Sequence, residues 1–192
     1  MNYSAAVSEI WRHHELGNAA HDYAGLVRYA TLAASSHNTQ PWKFKLERGR
    51  IAILPDLSRR CPAVDPDDHH LYASLGCAAE NLLLAAQAAG LQGHLSYDVS
   101  RSSVRMDLEG ASASRSALFV AITSRQCSRV EYDGTELSHE ELRFLREAGR
   151  GTGVSLMLLT TNKEKEQVAE YVAAGNAAQF SDPQWAEELK SW

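Results

Sequence analysis

The longest helical pattern in the chain is the strongest constraint on its fold. Apolar residues recur at helical spacing from about residue 68 to Gly90, which ends the pattern. The apolar face consists of Leu71, Leu75, Ala78, Ala79, Leu82, Leu83 and Ala86. The segment GCAAENLLLAA is rich in small residues, which allow a partner element to approach closely. We therefore expect a long, central and buried helix.

Alternating sequence on both sides of this helix predicts two β-hairpins. The segment WKFKLERGRIAILPD alternates apolar and polar residues around Gly49, so its turn is expected at residues 48–50. HLSYDVS and VRMDLEG alternate in the same way, which predicts a second hairpin across residues 100–103. Two continuous apolar runs are typical of fully buried strands. They are ALFVAIT at 117–123 and VSLMLLT at 154–160.

Three further helices are predicted, over residues 22–34, 138–149 and 163–180. The second begins with a capping box of Ser138 and Glu141. Helices and hairpins interleave without regular βαβ spacing, so the predicted fold class is α+β, with an antiparallel or mixed sheet flanked by helices.

The last segment, DPQWAEELKSW, predicts a helix with Trp185, Leu189 and Trp192 at spacings of four and three. An exposed pair of tryptophans is a liability unless something covers it. We therefore expect either a covering partner or a longer natural chain. The working domain assignment is a single lobe over residues 1–192, with residues 1–21 as an N-terminal extension.

Composition excludes several functional classes. A net charge of −5 over 192 residues gives no general attraction for phosphate backbones, so nucleic-acid binding is not expected. The chain contains three cysteines, Cys61, Cys77 and Cys127, and no CxxC pair. This pattern favours a reducing compartment over a framework of disulfides. No signal-peptide pattern and no apolar run of about 20 residues is present, so we expect a cytoplasmic protein without a membrane partner.

The motif SSHNTQPWKF, residues 35–44, places many donors and acceptors between a helix and a strand. The candidate binding residues are Ser35, Ser36, His37, Asn38 and Gln40. Their hydroxyls and amides suit a polyhydroxy chain or the edge of a heterocycle. The alternative interpretation is structural: the motif ends a helix in a turn, Pro41 blocks continuation and Trp42 fills the core.

Arg125 and Arg129 form a second candidate site, after the predicted strand at 117–123. Two guanidiniums at the end of a strand are suited to bidentate phosphate binding. The alternative is a solvated loop in which the arginines pair with Glu131 or Asp133. Cys127, between them, is a candidate nucleophile, although no histidine is near it in sequence.

The cluster DPDDHH at residues 65–70 resembles a metal site only superficially. Its spacing matches no zinc or calcium motif, and an acidic helix N-terminus is explained by the helix dipole. We predict no metal. No glycine-rich phosphate loop of the Walker or Rossmann type is present.

The segment LAASSHNTQPWKF resembles the flavin-binding signature of the nitroreductase family, and within it the two-lobed Acg-like branch. That branch also shows an Asp-rich turn before a long helix, as at Asp65 to Gly90. It has an Arg-x-x-x-Arg, as at Arg125 to Arg129, and an acidic helix ending near Trp192. The resemblance covers most of the chain from about residue 22 onward.

The resemblance implies an α+β fold, FMN as cofactor, and a cleft between two subunits or two lobes beside the long helix. Ser35, Ser36 and Asn38, with His37 and Gln40, are expected at the flavin ribityl chain or ring. The implied activity is reduction of small nitro or quinone acceptors with NAD(P)H by a homodimer, or by a chain with a second lobe. The cofactor carries the hydride, so no catalytic side chain is assigned.

Two alternatives to this activity stay open. The first is an FMN-binding or sequestering protein without turnover, and the second is a cysteine-dependent enzyme using Cys127 or Cys77. The chain also departs from the family. WRHHE at 11–15 replaces the usual Arg-x-Ser-x-Arg that binds the flavin phosphate, and residues 1–192 contain no counterpart of the second lobe. The residues that bind the phosphate are therefore not fixed by the resemblance.

Overall fold

The computed structural model describes residues 2–16 and 23–192. Their contacts divide the chain into two units, one of residues 1–126 with 187–192 and the other of residues 127–186. Each unit is described by itself. The described residues contain seven α-helices and one four-stranded sheet. No helix among them is long and apolar enough to cross a membrane. The α+β class is confirmed.

The first unit is built on an antiparallel sheet with the order β1-β2-β4-β3. Its strands are β1 Trp42–Glu47, β2 Arg50–Pro55, β3 Leu91–Asp98 and β4 Ser103–Gly110. Both predicted hairpins are confirmed. Gly49 turns the first with φ +72°, a left-handed backbone that suits a residue without Cβ.

Helix α3, His69–Ala88, packs against one face of this sheet. The prediction of a long central helix is confirmed, and its buried residues include Leu71, Leu75 and Leu82. The chain leaves the helix at Gly90 with φ +80° and enters β3 directly. Helix and sheet approach closely at Gly93, where a Cβ would lie 2.7 Å from Met106 Sδ and 2.8 Å from Leu83 Cδ1 and would force these side chains to shift.

Two shorter helices precede the sheet. Helix α2, Tyr23–Ala30, packs against α3, whereas α1, Tyr3–Ile10, buries none of its residues. The helix predicted over 22–34 therefore ends four residues early, and its first residue lies outside the described part. Arg28 tethers α1, since its guanidinium donates hydrogen bonds to the carbonyls of Glu9, Ile10 and Arg12.

The strand predicted at 117–123 is wrong. The segment forms a short helix, α4 Ala117–Ala121. Ser116 is its N-cap, and the Ser116 hydroxyl accepts a hydrogen bond from Phe119 N at 3.1 Å. Phe119 is buried, but Leu118 and Val120 are more than half exposed. A short apolar run does not distinguish a buried strand from one turn of helix. Here the Ser116 cap stabilises the helix.

The second unit contains α5, His139–Ala148, and α6, Asn162–Phe180, both as predicted. The capping box of Ser138 and Glu141 is confirmed. The strand predicted at 154–160 is wrong: only an isolated bridge joins Gly151 and Val154, and the segment is largely exposed. No strand of this unit offers the run an edge with which to pair.

Helix α7, Pro183–Ser191, confirms the predicted last helix. The structure corrects the expectation that Trp185 and Trp192 form an exposed pair. Trp185 is buried, with its ring 5.0 Å from that of Phe180 in an edge-to-face contact, whereas Trp192 is 45% exposed. Across residues 127–186, all of which the structure describes, Trp185 is the one buried side chain.

Asp65 caps the long helix α3. Its Oδ2 accepts a hydrogen bond from Leu71 N at 3.0 Å, although the residue that directly precedes the helix is Asp68. Burial acts to raise the pKa of Asp65. Hydrogen bonds from the backbone of His70, Leu71 and His69 outweigh it and hold the pKa below its ordinary value of 3.8.

We predict that Asp65→Asn lowers the free energy of unfolding by about 1 kcal/mol at neutral pH, because hydrogen bonds to an ionised acceptor are stronger than hydrogen bonds to a neutral amide. Because the folded pKa of Asp65 is depressed, its contribution is complete above pH 3.8 and is lost as the pH falls through the folded value. Denaturant titrations from pH 6 to pH 2 should therefore show the two proteins converging in acid. Asp67→Asn, at an exposed neighbour, is the control. A constant difference at every pH would contradict this role.

Candidate functional site

The motif at residues 35–42 forms the loop between α2 and β1, and its backbone is left-handed at three positions. Ser36–Asn38 is a single 3-10 turn, in which His37 has φ +49° and Asn38 has φ +56°. Gln40 follows with φ +49°. Residues with a Cβ seldom adopt this conformation, and such strain persists only where the surrounding structure fixes it.

Three side chains fix the loop. Ser35 Oγ accepts a hydrogen bond from Gln40 N at 3.0 Å, which closes the loop on itself. Ser74 Oγ, on α3, accepts one from Ser36 N at 3.3 Å. Arg59 Nη1 donates to the carbonyl of Thr39 at 2.7 Å. The loop is thus held from the long helix and from the segment after β2.

Ser74 and Arg59 were not identified from the sequence. Ser74 is a polar residue on the apolar face of α3, and this unusual position could have identified it from the sequence. Its hydroxyl also donates to the carbonyl of His70 at 2.7 Å, so both of its hydrogen-bonding roles are used. Arg59 lies in a polar stretch with several charges, and nothing in the pattern distinguished it.

The loop presents polar side chains to the outside. Asn38 and Gln40 are exposed, and neither side chain makes a hydrogen bond within residues 2–16 and 23–192. His37 is half-buried. Beneath them Thr39, Pro41 and Trp42 are buried, as the structural interpretation of the motif requires. The two interpretations are compatible, because the buried half anchors a turn and the exposed half leaves amides at the surface. Binding of a ligand by these amides stays a prediction.

Arg125 contacts the segment that precedes the loop. Its Nη2 donates to the carbonyl of Leu32 at 3.1 Å, and its guanidinium carbon is 5.8 Å from the centre of the Trp11 ring. Arg129 is exposed and belongs to the second unit. In that unit the carboxylate of Asp133 accepts from Thr135 N at 2.9 Å. Phosphate binding by Arg125 and Arg129 stays a prediction.

The cysteines differ in exposure. Cys61 is buried; burial, with a smaller effect from the carboxylates of Glu188 and Asp65, raises the pKa of its thiol. Cys77 and Cys127 are exposed. In the part of the chain that the structure describes, no group of three or more histidine, cysteine or acidic side chains could hold a metal ion.

A depression of about 270 Å³ lies elsewhere on the first unit, on the face of the sheet away from α3. Its lining comes from β1, β2, β4, the last residue of β3 and the turn between β3 and β4, and includes no residue of the 35–42 loop. The loop itself is an open surface, so a cofactor held there needs a second wall from elsewhere.

We predict that Gln40→Gly is more stable to unfolding than Gln40→Ala by roughly 1 kcal/mol. Alanine retains the Cβ that makes a left-handed backbone costly, whereas glycine removes it. The comparison at one position controls for loss of the Gln40 side chain. At an ordinary helical or extended position the order would be reversed. Thermal or urea unfolding of the two variants measures it, and a more stable alanine variant would show that residue 40 is not left-handed.

No known protein-family model matches the chain, and no curated protein is similar enough to count as a relative. The case for this site therefore depends on the residues and geometry of the loop.

Proposed function

We propose that the chain is a nitroreductase-like, FMN-dependent oxidoreductase or one lobe of such an enzyme, with residues 35–40 at the flavin. The observation that carries the proposal is the left-handed loop, which holds the amides of Asn38 and Gln40 exposed and without hydrogen-bond partners among the residues that the structure describes. Its fixed backbone means that little ordering is needed when a ligand binds. The choice of FMN as the ligand comes from the resemblance of the motif to the flavin-binding signature of the nitroreductase family.

The donor set of the loop fits a flavin in part. Amides and hydroxyls that both donate and accept match the hydroxyl groups of a ribityl chain and the edge of an isoalloxazine ring. The loop contains no lysine or arginine for a phosphate. Arg125 is the candidate for the phosphate that the sequence pattern suggested, and one of its N–H groups is used by the Leu32 carbonyl.

When bound, FMN would supply hydride transfer from NAD(P)H to a small nitro or quinone acceptor. The chain's own residues would bind and orient it. Ser35 and Ser74 keep the backbone in shape, because each accepts a hydrogen bond from a loop amide. Asn38 and Gln40 would then contact the cofactor, with His37 and the Ser36 hydroxyl beside them.

A second candidate function is FMN binding without turnover. It is favoured by the position of the depression of about 270 Å³, whose lining contains no residue of the loop and therefore offers an acceptor no place beside a flavin held there. Oxidation of NAD(P)H in the presence of nitro and quinone acceptors distinguishes an enzyme from a binding protein. If activity is found and survives thiol alkylation, a cysteine-dependent mechanism through Cys77 or Cys127 is excluded.

We predict that Asn38→Ala and Asn38→Gly both weaken FMN binding by roughly five- to tenfold, since one neutral hydrogen bond is worth about 1 kcal/mol. Quenching of flavin fluorescence on titration with protein measures the affinity. The glycine variant is the control, because it removes the amide while permitting φ +56°. If only the alanine variant binds weakly, the backbone and not the amide is responsible. Unchanged affinity in both would show that the motif is only a turn.

We also predict that the chain self-associates through the outward face of α3, with a mass near twice 21.1 kDa by light scattering. That face carries the small exposed residues Ala73, Gly76 and Cys77, which allow two helices to approach closely. A stable interface needs about 1,600 Å² in total.

The matched test uses two glycines, Gly76 and Gly110, at which an added Cβ would meet no atom of the described residues within 4 Å. Gly76→Arg should give a folded monomer, because it fills the proposed seam without disturbing the unit. Gly110→Arg should leave the mass of the dimer unchanged. A stable wild-type monomer with FMN at full occupancy would contradict this arrangement.

A further inference from the structure

The outer face of the sheet, away from α3, carries an organised group of positive charges. Lys45, Ala52 and Arg105 lie side by side across β1, β2 and β4. The small Ala52 leaves the depression of about 270 Å³ between longer neighbours. Four basic side chains line it, Lys45, Arg50, Arg101 and Arg105, against the two carboxylates of Glu47 and Asp98.

One carboxylate orients two of these cations. Arg50 Nε donates to Asp107 Oδ1 at 2.6 Å, and Arg105 Nε lies 3.0 Å from Asp107 Oδ2. The hydrogen bond from Arg50 is the main reason that the pKa of Asp107 is below its ordinary value. A single negative charge therefore positions two guanidiniums and leaves one positive charge unbalanced. The remaining N–H groups of each fork are available to a ligand.

The three arginines of the depression differ in their partners. Arg105 Nε is buried beside Asp107 Oδ2, with which it forms an ion pair whose angle does not meet hydrogen-bond geometry. Arg101 is exposed and makes no ion pair with any residue that the structure describes. Lys45 pairs with Glu47 at 2.6 Å, and Asp98 accepts from Ser100 N and Oγ, so the two lining carboxylates are already engaged.

We propose that this depression binds the phosphate group of a small phosphorylated molecule. Guanidinium forks match two phosphate oxygens at once, and an ammonium adds charge without a fixed direction. The volume is below the range of about 300–1,000 Å³ that holds drug-sized ligands, which suits a phosphate with few attached atoms.

A nucleic acid is the less suitable ligand for this face. The outward positions of the four strands, all within the described residues, carry no phenylalanine, tyrosine or tryptophan on which bases could stack. The net charge of −5 also opposes a long polyanion. The lining shares no residue with the 35–40 loop, so this proposal does not depend on the binding of FMN.

The test is an NMR titration of the full chain with sodium phosphate, using sodium chloride at equal ionic strength as the reference. The proposal predicts saturable shifts in the amides of residues 50–52 and 103–106 with phosphate only. Arg105→Gln should weaken binding about tenfold, and Arg101→Gln several-fold. Arg101 is exposed, so its variant remains informative if Arg105→Gln does not fold.

The matched control is Arg48→Gln, at the tip of the first hairpin, which makes the same change of charge outside the depression. It should alter phosphate affinity less than twofold. Equal shifts with chloride, or equal weakening by Arg48→Gln, would reduce the effect to general electrostatics and overturn the proposal. Binding of succinate as tightly as phosphate would overturn the assignment to phosphate.

Discussion

The packing of α3 against the antiparallel sheet is the interaction on which the first unit depends. Leu75, Leu82 and Met106 are fully buried at this contact, and burial of each such side chain is worth about 1.5–3 kcal/mol. The loop at residues 35–40 depends on the same helix, because Ser74 holds Ser36 N. A polar side chain on an apolar face is costly unless it is hydrogen-bonded, and Ser74 uses both of its hydrogen-bonding roles.

Much of this architecture could be predicted from the sequence because its elements are locally determined. The two hairpins follow from strict alternation, and helix α5 follows from the capping box of Ser138. The two apolar runs were misassigned because a short run lacks the periodicity that separates helix from strand. At 117–123 a serine cap decided the outcome, and at 154–160 no strand edge was available.

The site could be predicted only in part. The residue types of the motif indicated a polar ligand or a turn. The structure shows the turn, and binding of a ligand stays a prediction. The left-handed backbone at His37, Asn38 and Gln40 could not be inferred, because it is imposed by contacts with Ser74 and Arg59 that are distant in sequence. The basic depression also depends on the register of β2 and β4, which brings Arg50 opposite Asp107.

Hydrogen–deuterium exchange of the amides of residues 36–40, with and without FMN, tests the central claim most directly. Amides of β3 provide the internal reference. If the loop holds the ribityl chain or ring, saturating FMN slows exchange at these residues, and riboflavin, which lacks the phosphate, slows it at the same positions. Unchanged exchange at 36–40 when FMN is bound, with protection elsewhere in the chain, would contradict the account.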